Sequence, residues 1–101
     1  MTRRILVRPR ARRDLEELWR YTASNWDMQR ADEYVRKLDE AIKRIARQPE
    51  LGSDRSYIRD GLRKLTIASH AIYYFHDEQS LRVSRILHVR RDAESQLGPA
   101  T

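Results

Sequence analysis

Apolar side chains recur along this chain with two different spacings, and the changes of spacing divide it into elements. A short β-prone run, Ile5-Leu6-Val7, is stopped by Pro9. Proline suits the first turn of a helix, where the amide proton it lacks has no helical partner anyway. From there Ala11, Leu15, Leu18, Trp19 and Thr22 return at helical spacing, with Asp14, Glu16 and Glu17 early and Ser24-Asn25 as an end. Trp26-Asp27-Met28 makes a short turn in which Asp27 can cap a second helix. That helix carries a long apolar stripe: Ala31, Tyr34, Val35, Leu38, Ala41, Ile42, Ile45 and Ala46. Its outer face offers Glu33–Lys37 and Glu40–Arg44 as pairs four residues apart, and Pro49 ends it near Gln48. The two helices should form an antiparallel hairpin.

Residues 49–61 read as a loop, with turn signals at Pro49-Glu50-Leu51-Gly52 and Asp60-Gly61. Three β-prone runs follow, Leu62–Ile67, Ala71–Phe75 and Leu81–Val89, the last two separated by Asp77-Glu78-Gln79-Ser80 at hairpin distance. In the last run Leu81, Val83, Leu87 and Val89 share one face together with Arg85, while Ile86 points the other way. Either a bulge shifts the register or both faces are partly covered. The segment Ala93–Thr101 has no pattern and is expected to fray. The order β-α-α-β-β-β predicts an α+β fold of two layers, a helical hairpin packed on one face of a mainly antiparallel sheet. With 101 residues, residues 1–101 form one domain with a single core.

Composition narrows the chemistry. The chain has no cysteine, which excludes disulfides and thiolate metal sites and suits a reducing compartment. It has no apolar run of membrane-spanning length, and its N-terminus is too short in apolar residues for a signal peptide. A cytoplasmic protein with no membrane association is expected. The net charge of +6 is unevenly spread: residues 1–13 carry six arginines and no acid, residues 14–61 nine bases against eleven acids, and residues 62–101 six bases against four acids. If the two positive flanks meet in one sheet, that sheet gains a basic side suited to nucleic acid or an acidic protein partner.

Among candidate sites, none of His70, His76 and His88 belongs to a metal-binding motif, and the chain has neither a nucleophile elbow nor a phosphate-cradling glycine loop. No metal or cofactor is expected. The basic set remains: Arg63 and Lys64 opening one strand, Arg85 in the last, and His88, Arg90 and Arg91 closing it. Arginine forks bind phosphate or carboxylate oxygens two at a time. A ribonuclease built on Arg63, Arg85, His88 and Arg90 would also need a second proton-transfer group. Tyr73 and Tyr74 lie mid-strand, and no tyrosine or histidine follows Asp92.

Several stretches together resemble ParE toxins, the toxin half of ParDE type II toxin–antitoxin modules within the RelE/ParE superfamily. These are the Pro9–Tyr21 helix (PRARRDLEELWRY), Ala31-Asp32-Glu33-Tyr34, Pro49-Glu50-Leu51-Gly52, Gly61-Leu62-Arg63 and the closing Arg85–Asp92 (RILHVRRD). The likeness runs over roughly residues 3 to 97 and implies the same β-α-α-β-β-β fold. It also implies a non-enzymatic toxin that poisons DNA gyrase. Such toxins are neutralised by a ParD-type antitoxin, whose disordered and commonly acidic C-terminal segment folds onto the toxin in a hetero-oligomer, while the antitoxin's N-terminal part binds DNA. Arg63, Lys64, His88, Arg90 and Arg91 are then the expected target-binding residues. The antitoxin is expected in a groove between hairpin and sheet, with Trp19, Tyr21 and Trp26 as candidate anchors. Trp19 reads as core rather than as an anchor, and Trp26 as a staple of the interhelical turn rather than as an anchor. RelE-type relatives instead cleave mRNA on the ribosome. The missing C-terminal Tyr or His weakens that alternative. A third alternative is a module that binds its antitoxin but carries no toxicity.

Overall fold

The computed structural model describes residues 3–91 and 93–97 and gives them five strands and three helices, one strand and one helix more than the pattern predicts. Strand β1 (Arg4–Val7) leads through Arg8 into helix α1 (Pro9–Asn25), with Pro9 at the first helical position as its missing donor predicts. Helix α2 (Met28–Arg47) begins where the Asp27 carboxylate accepts the Arg30 amide at 2.7 Å. Its stripe is buried as the spacing requires: Ala31, Leu38, Ala41, Ile42, Ile45 and Ala46 are sealed from solvent. On its outer face, among the described residues, the ion pair is Asp39–Lys43 at 3.2 Å rather than either expected pair, and Glu33 accepts instead from Gln29.

The expected loop at 49–61 holds more order than its turn residues suggest. Pro49–Leu51 forms a single 3-10 turn, and Ser53–Asp54 forms a two-residue strand, β2. Then come β3 (Arg63–Ile67), β4 (His70–His76), β5 (Ser80–His88) and a short helix α3 (Ala93–Leu97) in the segment expected to fray. Residues 98–101 of that segment lie outside the described residues. The sheet order is β1-β5-β4-β3-β2, antiparallel throughout except that β1 runs parallel to β5. The N-terminal and C-terminal basic flanks therefore do meet, along the β1–β5 pair.

The conflict over Ile86 resolves as a bulge. Tyr73 faces Arg85 but Tyr74 faces Val83, which leaves Ser84 as the extra residue. Leu81 and Val83 before the bulge and Ile86 after it then join the main core with Leu38, Ile45 and Tyr74 under the hairpin. Leu87 turns to the second face, where it joins Ala71 and Tyr73 beneath Ile58, Leu62 and Leu97. The loop 55–62 and α3 thus cover part of the face opposite the helices, so both alternatives raised by the sequence hold.

Strand β3 turns into β4 through Ala68-Ser69, with Ile67 facing His70. Ala68 sits at φ 53, a left-handed conformation that a Cβ makes costly by roughly 1–2 kcal/mol. Ala68→Gly is therefore expected to stabilise the protein by about 0.5–1 kcal/mol once the extra freedom of glycine in the unfolded chain is subtracted. A rise in the urea midpoint at constant slope would register it.

Candidate functional site: a groove between the helical turn and the end of the sheet

The α1–α2 turn stands over the end of the sheet where β4 begins and β5 ends. An open groove of about 750 Å³ lies between them. The helical wall carries Tyr21 and Trp26, both more than half exposed, with rings 6.4 Å apart in an edge-to-face arrangement. Exposed aromatic rings held this way offer rigid apolar area at small entropic cost. Arg30 and Lys37 from α2 and Arg91 from the sheet end add positive charge, and Glu17 and Glu33 add acids.

The floor is a row of three rings. The Tyr34 hydroxyl accepts the Ser69 amide proton at 3.1 Å and shares a hydrogen bond of 2.7 Å with His70 Nδ1. His70 faces His88 across the β4–β5 ladder, with ring centroids 5.2 Å apart and nearly perpendicular. His88 Nδ1 in turn accepts the Arg90 amide at 3.1 Å. His88 therefore uses Nδ1 as an acceptor, and its proton belongs on Nε2 when the ring is neutral. Burial holds His70 below the usual histidine range; His88 pushes the same way and Asp14 opposes.

That depressed value has a sign. Folded His70 holds a proton less readily than unfolded His70, so its contribution to stability is complete above about pH 6.5 and is lost as the pH falls through the folded value. His76 is lowered too, by burial and then by Arg3 and Arg63. Thermal midpoints should drop between about pH 7.5 and 5.5, and the drop should shrink in His70→Asn. An identical profile in the variant would assign the effect to His76.

The expected basic set does not assemble. Two antiparallel steps make β3 and β5 run the same way, so Arg63 and Lys64 at the start of β3 lie at the opposite end of the sheet from His88. Arg63 donates to the Gly52 carbonyl at 2.6 Å, and Lys64 lies 5.9 Å over the Tyr73 ring. Arg85 is not a surface group. Its guanidinium makes a two-pronged pair with the Asp14 carboxylate, at 2.8 and 3.0 Å, and is 6% exposed. Asp14 also accepts the Ile86 amide at 2.9 Å, which closes the stretch of β5 that extends past its pairing with β1. Arg90 and Arg91 are exposed at the end of β5, and only Arg91 lines the groove.

Of the aromatic candidates, Tyr21 and Trp26 line the groove and Trp19 does not. Trp19 is half-buried and joins the helices by donating from Nε1 to Asp32 at 2.8 Å, so it is neither an anchor in the groove nor sealed in the core. Trp26 is too exposed to act as a staple. Sequence reasoning missed Tyr34, which looked like part of the apolar stripe, and His70, which was weighed only as a metal ligand. Among the described residues, no group of three or more His, Asp or Glu is placed to hold a metal, and no helix is long and apolar enough to cross a membrane.

Comparison with known proteins bears on this geometry. A family model described as ParE toxin of type II toxin-antitoxin system, parDE, matches residues 5–93. Toxin ParE1 of Mycobacterium tuberculosis is 39% identical over 98 residues, spanning 96% of this chain and 100% of the relative. Toxin ParE1 of Caulobacter vibrioides is 33% identical over 91 residues, spanning 88% and 92%. A chain of the solved chromosomal ParDE TA system from P. aeruginosa superposes with a TM-score of 0.76 at 18% identity, covering 88% of this chain and 98% of that one.

Proposed function

Because the chain belongs to the ParE toxin family of type II toxin–antitoxin systems, we propose that it poisons DNA gyrase by gripping it, without itself breaking a covalent bond. We propose too that a ParD-type antitoxin silences it in the cytoplasm by filling the groove in a hetero-oligomer. The observation that carries this reading is the groove itself. It places an exposed Tyr21–Trp26 pair in one groove with Arg30, Lys37 and Arg91, a mixture of apolar anchors and cations that fits an acidic amphipathic segment. Two of the four residues of the ribonuclease alternative support it in the opposite sense: Arg63 lies at the far end of the sheet and Arg85 is held by Asp14. An antitoxin seated in the groove would cover Arg91 and His88, so occupancy and neutralisation would be one event.

Purified protein added in excess to gyrase and supercoiled DNA should produce linear DNA or block supercoiling. Gyrase left untouched would end this reading. Arg90→Ala with Arg91→Ala should weaken the effect while leaving the thermal midpoint nearly unchanged, since exposed charges contribute little stability. A fully potent double variant would move the target surface elsewhere.

One arrangement favours the ribosome-dependent endonuclease as a second reading. The Tyr34 hydroxyl is hydrogen-bonded to His70, and His88 stands against that ring with Arg91 nearby, so two imidazoles are placed to exchange protons with a substrate and a guanidinium to hold its phosphate. Toeprints on translating ribosomes that vanish in His88→Ala would support it. Intact transcripts would exclude it.

A further inference from the structure

The face of the sheet away from the helices carries a second, smaller cleft that the groove does not touch. It encloses about 220 Å³ and is lined by Arg8, Arg59, Arg82, Phe75 and Ser84. The fold brings these together from four elements. Leu6, Arg82 and Phe75 sit side by side across β1, β5 and β4. Ser84 is the bulged residue of β5. Arg8 is fixed next to the bulge because its amide donates to the Val83 carbonyl at 3.0 Å. Arg59 comes from the loop 55–62, its guanidinium 6.0 Å over the Phe75 ring.

Three guanidiniums converge here with little to neutralise them. Arg82 pairs with Asp77 at 3.1 Å. Among the described residues neither Arg8 nor Arg59 forms an ion pair, and the first turn of α1, which starts beside Arg8, holds no acid and no side-chain cap. The helix dipole therefore adds to the positive field instead of being offset by a carboxylate. Three like charges with one carboxylate between them repel one another, and an anion in the cleft would relieve that repulsion.

We propose that this cleft binds a backbone phosphate of a single-stranded nucleic acid, without regard to sequence. Arg8, Arg59 and Arg82 grip the phosphate oxygens, Ser84 donates a hydroxyl, and Phe75 offers a ring edge to the adjoining nucleotide. Planar forks match phosphate oxygens in pairs, and an aromatic ring within a basic cleft is the pattern by which unpaired strands are held. The cleft has room for a phosphate and part of its sugar but not for a whole base pair. The site is independent of the gyrase reading, because it concerns direct contact with nucleic acid and lies on the opposite face from the groove.

The test is fluorescence anisotropy of a labelled oligothymidylate, over a range of salt, with wild type and two double variants of equal charge loss. Arg8→Gln with Arg59→Gln removes the cleft. Arg36→Gln with Arg44→Gln removes two exposed arginines from α2. The cleft variant should bind at least about tenfold more weakly and lower the salt slope by about 1.4, against less than about twofold for the α2 variant. Amide shifts in the wild type on adding the oligonucleotide should centre on Phe75 and Ser84, which gives a readout even if the cleft variant folds poorly. Equal weakening in both variants, shifts centred on His70 and His88, or equal binding of an oligoglutamate peptide in the cleft would each overturn the proposal.

Discussion

Asp14→Ala should cost about 3–5 kcal/mol of folding stability, the loss expected when one partner of a buried ion pair is removed and the other stays behind. Both side chains are almost sealed, at 7% and 10% exposure for Arg85 and Asp14, so water cannot take over. Three hydrogen bonds vanish together, two from the guanidinium and one from the Ile86 amide. The remaining bond of Arg85 to Gln96, at 3.4 Å, is a weak substitute. Against a total of roughly 5–15 kcal/mol for a domain of this kind, that loss leaves a measurable unfolded fraction. Urea titration would record it. The double replacement Asp14→Leu with Arg85→Met should cost less than Asp14→Ala alone, because it leaves no buried charge unpaired. A cost below about 1 kcal/mol for Asp14→Ala would mean that the pair opens to solvent.

Gly52→Ala should be comparably damaging, at about 3 kcal/mol or more, from overpacking joined to a disrupted hydrogen bond. The reason is not backbone strain, since Gly52 has φ −80, which any residue adopts. An added Cβ would stand 2.2 Å from the Tyr74 hydroxyl oxygen and 2.9 Å from the Lys64 carbonyl oxygen. Tyr74 is fully buried. Its hydroxyl accepts the Gly52 amide at 3.0 Å and donates to the Pro49 carbonyl. Burial, the largest influence on it, pushes this phenol above its usual range, so it keeps the proton that it donates. Tyr74→Phe alone should cost about 1–3 kcal/mol by orphaning those backbone groups. Combined with Gly52→Ala it should cost distinctly less than the sum, because deleting the hydroxyl makes room for the methyl. Strict additivity in denaturation would show that the loop has moved away instead.

The order of elements was legible because the helices announce themselves by period and by punctuation. The α2 stripe, Pro9, Asp27 and Pro49 all stand where the structure uses them. The two-residue β2 and the five-residue α3 were not legible, because neither carries a run of β-prone residues or is long enough to show a helical period. The candidate site was half legible. Tyr21, Trp26, His88 and Arg91 were singled out, and the structure gathers them. Grouping Arg63 with His88 failed on parity: strands two antiparallel steps apart are parallel, so the start of one cannot meet the end of the other. Asp14–Arg85 joins residues 71 apart, a distance over which no local spacing carries information. Tyr34 serves the α2 stripe with its ring and the groove with its hydroxyl, and only the first role leaves a mark in the pattern of apolar positions.

The strand that lies second from the sheet's edge, between β1 and β4, is the last one in the chain. During synthesis β1 therefore emerges long before its neighbour, with α1, α2 and three other strands made in between. The helical hairpin can form early from local contacts, but its floor waits for the final strand. The groove closes on the same strand, because His88 and Arg91 complete its lower wall. The surface proposed to act is thus assembled only when the last strand has paired, and a chain cut before Ser80 would lack it.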